Sequence, residues 1–473
     1  MAVVVVLGAG FAGQTATLYL KKLLGSEHQI KVINPWPRFT YIPSLVWVGI
    51  GRMNPEKTMF VLEPVYKKLG IEFIQAWARE VHPDDQYVLT EDKSGVVNKI
   101  TYDYLINATG PHLNFEGTKG LGPDHQTTHS ICNIHHAKLA RDAYLEAIQR
   151  MERGEKQKIL IGTGHGMSTC QGAALEYITN IHHDLVRRKL RDRAQIMWIS
   201  NEPKLGDLGV GGIYAKKYGY IMDSEAFIKS LFAENEIYYQ VQTAVKEVSV
   251  GQVHWENYLG NQGETNYDYG MLIPQFTGTK IKYIDKNGQD ITSRLTNPGG
   301  FMLVDGNYGK KWDELTAQDW PSTYQSPFYR NLFAAGIAFA PPGTISKPFV
   351  NENGTNITAT PPRTGMVSGI IGKIVAKNVV DLIHGTELKH RESMAEMPGA
   401  CIASINKSIF NGSAASILMY PVTPDFIRYP DYGRDLKVND MEIGLAGAWI
   451  KRVLHSLFLY KMKGNLGWSF IPE

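Results

Sequence analysis

An α/β chain of two parallel-sheet domains, the second inserted into the first, followed by amphipathic helical elements at the C-terminus, is predicted by three observations. A β-branched run opens the sequence and breaks into Gly8-Ala9-Gly10-Phe11-Ala12-Gly13. A second apolar run breaks into a turn with Gly162, Gly164 and Gly166, and a third closes on Gly336. In each, a strand hands over to a helix or a return turn, the order that builds Rossmann-like dinucleotide-binding units.

Taken in order, residues 3–7 form a buried first strand, a helical pattern follows to Leu24, and residues 29–33 form a second strand. In that context the glycines free backbone N–H groups and a helix N-terminus for a pyrophosphate. Gly8, Gly10, Phe11, Ala12 and Gly13 are the expected cradle. Where an acidic partner of the ribose usually ends the second strand stands Asn34, whose amide can still hydrogen-bond a hydroxyl. Residues 102–110 close on Ala108-Thr109-Gly110 and return the chain to the first turn. Residues 158–161 open the second unit, with its next strand at 195–200, and a helix runs from Gly365 to about His384. Residues 1–120 with 295–390 are thus expected to form the first domain, 121–294 the inserted one, and 391–473 a separate C-terminal region.

At 473 residues the chain can bury its cores without covalent staples. A net charge of +3, with no basic tract interleaved with aromatics, argues against a nucleic-acid partner. The first residues lack the basic start and cleavage site of a signal peptide, and no run of 18 apolar residues is present to span a bilayer. Between 441 and 463, Leu445, Trp449, Val453, Leu457 and Tyr460 recur at helical steps, while Lys451, Arg452 and His455 group on another side. That pattern fits a helix lying in a membrane interface, and equally one packed on the core or on another subunit.

Three cysteines, Cys132, Cys170 and Cys401, are odd in number and widely spaced, which excludes a disulfide scaffold and a zinc site; no metal is expected. They are buried fillers or used thiols. A helix beginning at Gly166 would place Cys170 in its first turn, where the helix dipole stabilises a thiolate. Glu176, within the same two turns, reads as a solvated helix glutamate or a base. His136, in a run with His129 and His135, reads as a surface histidine or a proton carrier near Cys132.

Several segments together resemble the sulfide:quinone oxidoreductase family of two-dinucleotide-binding-domain flavoproteins. They are the first glycine turn; Arg38-Phe39-Thr40-Tyr41-Ile42-Pro43-Ser44; Asn107-Ala108-Thr109-Gly110-Pro111; Ser130-Ile131-Cys132 through Ala137; Cys170 with Glu176; Asn297-Pro298-Gly299-Gly300-Phe301; Phe333 through Ala338; Pro362-Arg363-Thr364-Gly365; Cys401-Ile402-Ala403; and Phe458-Leu459-Tyr460-Lys461. The resemblance spans nearly the whole chain in the family's order. It implies FAD held by the first domain, with Asn34, Arg38, Ala108, Thr109, Gly110, Gly336, Arg363 and Thr364 joining the cradle. It also implies Cys170 and Cys401 as a redox disulfide, Cys132 as the sulfur-handling third thiol, and His136 and Glu176 beside them. Sulfide then reduces the disulfide and flavin, and a membrane quinone near Leu454, Phe458 and Tyr460 takes two electrons from a protein bound peripherally to the cell membrane as a homo-oligomer.

The resemblance is incomplete. Asp207 stands where many members carry histidine, Arg363 replaces a lysine, and Gly369 replaces a glutamate associated with proton transfer toward quinone. Arginine keeps the positive charge but does not release its proton, so the resemblance does not carry the proton route. The segments 310–326 and 343–360 are longer than usual. Two other readings share the architecture: a type II NADH:quinone oxidoreductase, with nicotinamide on the second glycine turn, and a sulfur-binding flavoprotein without turnover.

Overall fold

The computed structural model describes every residue except 363 and 407–409, together with the side chain of 406; the expectation for Arg363 therefore lies outside the described residues. Val3–Leu7 is almost wholly buried, as a β-branched strand covered on both faces must be. It lies at the centre of a five-stranded parallel sheet, between Tyr104–Asn107 and Gln29–Ile33; Leu332–Ala334 and Glu72–Ile74 form the two edges. A second parallel sheet runs in the order Ile237–Gln240, Ala194–Ile199, Gln157–Thr163, Tyr269–Ile273. Its strands fall in sequence between two neighbours of the first sheet, which makes it an insertion.

Two helices cover the first sheet where a ligand would enter, Phe11–Leu24 and the late helix Gly365–Ile383. Their backbones approach closely: a β-carbon on Gly372 would stand 2.4 Å from the Ala12 carbonyl oxygen. Beyond the late helix the chain adds a feature the periodicity did not reveal, an antiparallel sheet of Gly399–Asn406, Ser413–Met419 and Asp440–Gly444. The tail helix, Leu445–Met462, follows directly. Among the described residues, no helix is long and apolar enough to cross a membrane.

The tail helix packs on the core with Lys451 and His455 of its basic side turned inward. Lys451 is buried against Glu176, and His455 Nδ1 lies 2.8 Å from Ser44 Oγ. Trp449, Ile450, Val453 and Tyr460 are its exposed large apolar residues. A buried ammonium is tolerable where a carboxylate meets it, and that partner is too distant in sequence for helical periodicity to register.

Candidate flavin and thiol site

The first glycine turn is open. Gly8 has φ +96°, a conformation glycine adopts without penalty, and nothing lies within 4 Å of where a side chain on Gly10 would begin. Gly13 instead packs on the Gly8 carbonyl, fixing the helix against the strand. The helix Phe11–Leu24 has no side-chain cap, so its first N–H groups face the opening. Around it stand Ala108, Gly110 with an open side, and Gly336 against Ala12. Thr109 Oγ1 donates to Asn107 Oδ1 at 2.8 Å. Thr364, which precedes the late helix, and Thr15 each have a buried hydroxyl without a partner among the described residues. An uncapped helix start, an open glycine cradle and orphaned hydroxyls fit the pyrophosphate and polyol of a flavin dinucleotide. Two expected contacts are engaged elsewhere. Asn34 Oδ1 accepts from Ala9 N at 3.1 Å, bracing the turn, and Arg38 pairs with Glu56 on the surface.

At the mouth of this cradle sits an aromatic cluster. Phe458 of the tail helix lies 6.1 Å from Phe11 and 6.1 Å from Tyr41, and Tyr41 stands edge-on to His455. Of the three residues expected to meet quinone or membrane, Phe458 therefore points into the molecule, Tyr460 is exposed, and Leu454 is half-buried.

Two of the three thiols share one helix end. The helix starts at Gln171 rather than at Gly166, and Cys170 is its cap residue, not a first-turn residue. Residues 164–170 are spent on the turn. Cys170 has φ +67°, a left-handed conformation uncommon for any residue but glycine. Strand Gly399–Asn406 lies along this helix, so that a β-carbon on Gly172 would stand 2.8 Å from the Cys401 sulfur. Cys132 and Cys401 are free thiols in the structure. Burial pushes Cys132 and Cys401 up to about 11 each. Cys132 donates its N–H to Ser130 Oγ at 3.1 Å. No hydrogen bond joins it to His136 among the described residues; the His136 ring meets Phe115, and burial lowers its basicity.

Glu176 is not solvated. It is 5% exposed, accepts from Ser404 Oγ at 2.6 Å and Ser404 N at 3.2 Å, and pairs with Lys451 at 2.8 Å. The sequence did not mark Ser404, and it marked Lys451 only as part of the tail helix's basic side and Tyr41 and Trp47 only within stretches that resemble the family; contacts distant in sequence bring them together. Of the departures from the family pattern, Asp207 is buried and hydrogen-bonded by Ser346 and Gly209 N. The room beside Gly369 is taken by the Glu473 carboxylate, 3.0 Å from where a β-carbon would be, and that carboxylate pairs with the fully buried Lys461 at 2.8 Å.

The second glycine turn is filled by the chain itself. Thr358 N donates to Gly166 O at 2.7 Å and Thr360 N to Ser168 O at 3.0 Å. The Asn356 carbonyl stands 2.0 Å from where a β-carbon on Gly166 would be, and Leu121 covers Gly164. Asn201, at the position where a ribose would be held, donates instead to the carbonyls of Gly166, Ser168 and Thr358, each at 3.1 Å.

Residues 2–175 match the family model of pyridine nucleotide-disulphide oxidoreductases. Over 470 residues the chain is 29% identical to a sulfide-quinone reductase of Aquifex aeolicus, covering 99% of this chain and 93% of that protein. The X-ray structure of the sulfide:quinone oxidoreductase from the same bacterium superposes with a TM-score of 0.78 at 27% identity, over 99% of this chain and 94% of the other. NDH2 of Plasmodium falciparum, solved in complex with NADH, shares the fold at a TM-score of 0.66 and 14% identity, over 99% of this chain and 97% of that one. With a flavin-type cradle, two thiols at one helix end and similarity over nearly its whole length in both sequence and structure, the chain is similar to the sulfide:quinone oxidoreductases of the two-dinucleotide-binding-domain flavoproteins.

Proposed function

We propose that this chain oxidises sulfide with bound FAD and passes two electrons to a quinone. The observation that carries the reading is the convergence of Cys170 and Cys401 on one helix end. Oxidation of a soft sulfur nucleophile needs a sulfur electrophile, and a disulfide between these residues supplies one. Hydrosulfide attacks one of its sulfurs, the S–S bond breaks as a new one forms to the incoming sulfur, and the other cysteine leaves as thiolate. FAD, when bound, accepts an electron pair from thiols and releases it to quinone. Gly8, Gly10, Gly13 and the helix start would hold its pyrophosphate, with Thr15 and Thr364 available to its polyol. Cys132 serves as the further thiol that handles sulfur.

The division of labour follows: 1–120 with 295–390 for the flavin, 121–294 for the thiol helix, and 391–473 for quinone and lipid. A quinone dissolves in lipid, and the exposed Trp449, Ile450 and Val453 give the tail helix an apolar outer face suited to the bilayer surface. The NADH reading is disfavoured because the chain's own backbone occupies the second glycine turn. Anaerobic mixing separates the possibilities. Sulfide is expected to bleach the flavin and NADH to leave it oxidised, and Cys170→Ser is expected to slow sulfide bleaching by about a thousandfold or more. Bleaching of the Cys170→Ser protein at the wild-type rate would remove the disulfide mechanism.

A further inference from the structure

Lys451 and Glu176 meet as a buried ion pair with a nitrogen–oxygen distance of 2.8 Å, both side chains less than a tenth exposed. The second carboxylate oxygen is bound by Ser404, on the strand that carries Cys401. Gly172 and Glu176 are four residues apart on one helix and so lie on one face. The Cys401 sulfur sits over Gly172, which makes thiol and carboxylate neighbours on that face. The other groups around the pair are Tyr41, whose hydroxyl is pushed up by burial and then by Glu176, and Asn180, which donates to Ser404. His455, one turn on from Lys451, turns instead to Ser44. A buried ion pair is a poor source of stability, since apolar residues of the same volume often serve as well. Its place between a thiol and an aromatic cluster suggests a different use.

We propose that Lys451 is a positioning residue for the Cys401 thiol: it holds the Glu176 side chain in place beside the sulfur and opposes its charge there, so the pair sets how readily Cys401 ionises. The inference rests on reading Cys401 as a reactive thiol. Burial is the largest influence holding the thiol up, Glu176 adds to it, and Lys451 acts against it. The two members of the pair therefore have opposite signs. Lys451→Met leaves the carboxylate unopposed and makes the thiol harder to ionise; Glu176→Gln leaves the ammonium unopposed and makes it easier. Lys451→Arg keeps the charge. Loss of packing alone would move both variants the same way.

The test uses reduced, flavin-loaded, full-length protein and follows alkylation of Cys401 by iodoacetamide, read by mass spectrometry at a fixed pH below the thiol's midpoint. Lys451→Met is expected to slow alkylation about threefold, Glu176→Gln to speed it about threefold, and Lys451→Arg to match wild type, corresponding to about half a pH unit in each direction. Changes of the same sign in the first two, or a change in neither, overturn the proposal. Should Lys451→Met lose its flavin, Glu176→Gln and Lys451→Arg still decide it: no acceleration in the former overturns it. Sulfide bleaching of the same proteins in their oxidised form, before reduction, reports separately on sulfide oxidation. Opposed alkylation shifts without bleaching would sink the functional reading and keep the pair's role; bleaching without the shifts would do the reverse.

Discussion

Two glycine turns of similar spacing meet opposite fates in this molecule. At Gly10 the space above the turn is empty of protein, and the helix start is uncapped. At Gly166 the same kind of space holds the carbonyl of Asn356, a segment hydrogen-bonded along the turn, and an asparagine side chain where a ribose would be. What differs is the cover, laid down by parts of the chain far away in sequence. Glycines record that the backbone must turn and be approached closely; a distant segment decides whether a ligand or the chain itself makes the approach.

Alanine at the two turns should break this comparison most visibly. Gly166→Ala drives a methyl group into backbone that cannot swing aside, and is expected to cost about 3 kcal/mol of stability in urea unfolding of the flavin-free protein. Gly10→Ala meets no protein atom, so the flavin-free protein should unfold within about 0.5 kcal/mol of wild type. Its flavin content after purification, read as absorbance per protein, should fall severalfold, because the methyl group occupies the space of the pyrophosphate. Equal loss of stability in both variants would mean the first turn is also filled from within.

Asn201→Ala should loosen the cover with a smaller effect. Three carbonyls lose this donor and Gln171 Nε2 loses its shorter hydrogen bond, keeping the one to Ser168 O at 3.4 Å, which is expected to cost about 2 kcal/mol. Limited proteolysis should then cut within 351–360 at protease concentrations that leave wild type intact. Wild-type resistance would show that the backbone bonds from Thr358 and Thr360 suffice alone.

The sequence made the frame of the molecule legible where the signal was local. Val3–Leu7 and Gln29–Ile33 appear as read, because an apolar β-branched run bounded by glycine has few other uses. The cysteine helix starts five residues later than its glycines suggested, since a left-handed Cys170 prolongs the turn. The antiparallel sheet at 399–444 escaped notice because its strands, half-covered by two helices, carry no clean alternation. The site was legible in its cysteines and first glycine turn, and not in Lys451, Ser404 or Trp47. Periodicity assigned Lys451 to a polar face; only the arrival of Glu176 from another helix explains its burial.

The smallest expected effect concerns the anchor of the segment that fills the second turn. Glu256 is 2% exposed and accepts from Asn351 Nδ2 at 2.8 Å, Asn353 Nδ2 at 2.6 Å and Thr355 Oγ1 at 2.7 Å, with Lys246 3.3 Å away. Burial by itself would raise this carboxyl, but the hydrogen bonds from Thr355, Asn353 and Asn351, with Lys246, outweigh it and hold the group down to about 2 from an ordinary 4.5. Its folded state thus binds protons less readily than the unfolded chain. The stabilisation is complete above about 4.5 and is lost as the pH falls toward about 2. Glu256→Gln keeps the shape and removes the charge, so it should cost about 1 kcal/mol near neutrality. That deficit should hold steady down to the ordinary carboxyl range and shrink below it, as urea midpoints of the two proteins measured across acidic pH would show. No deficit at any pH would place the anchoring in shape rather than charge. The second glycine turn would then be kept shut by the same close packing that holds Gly166 under Asn356, with the carboxylate contributing no more than any acceptor of its size.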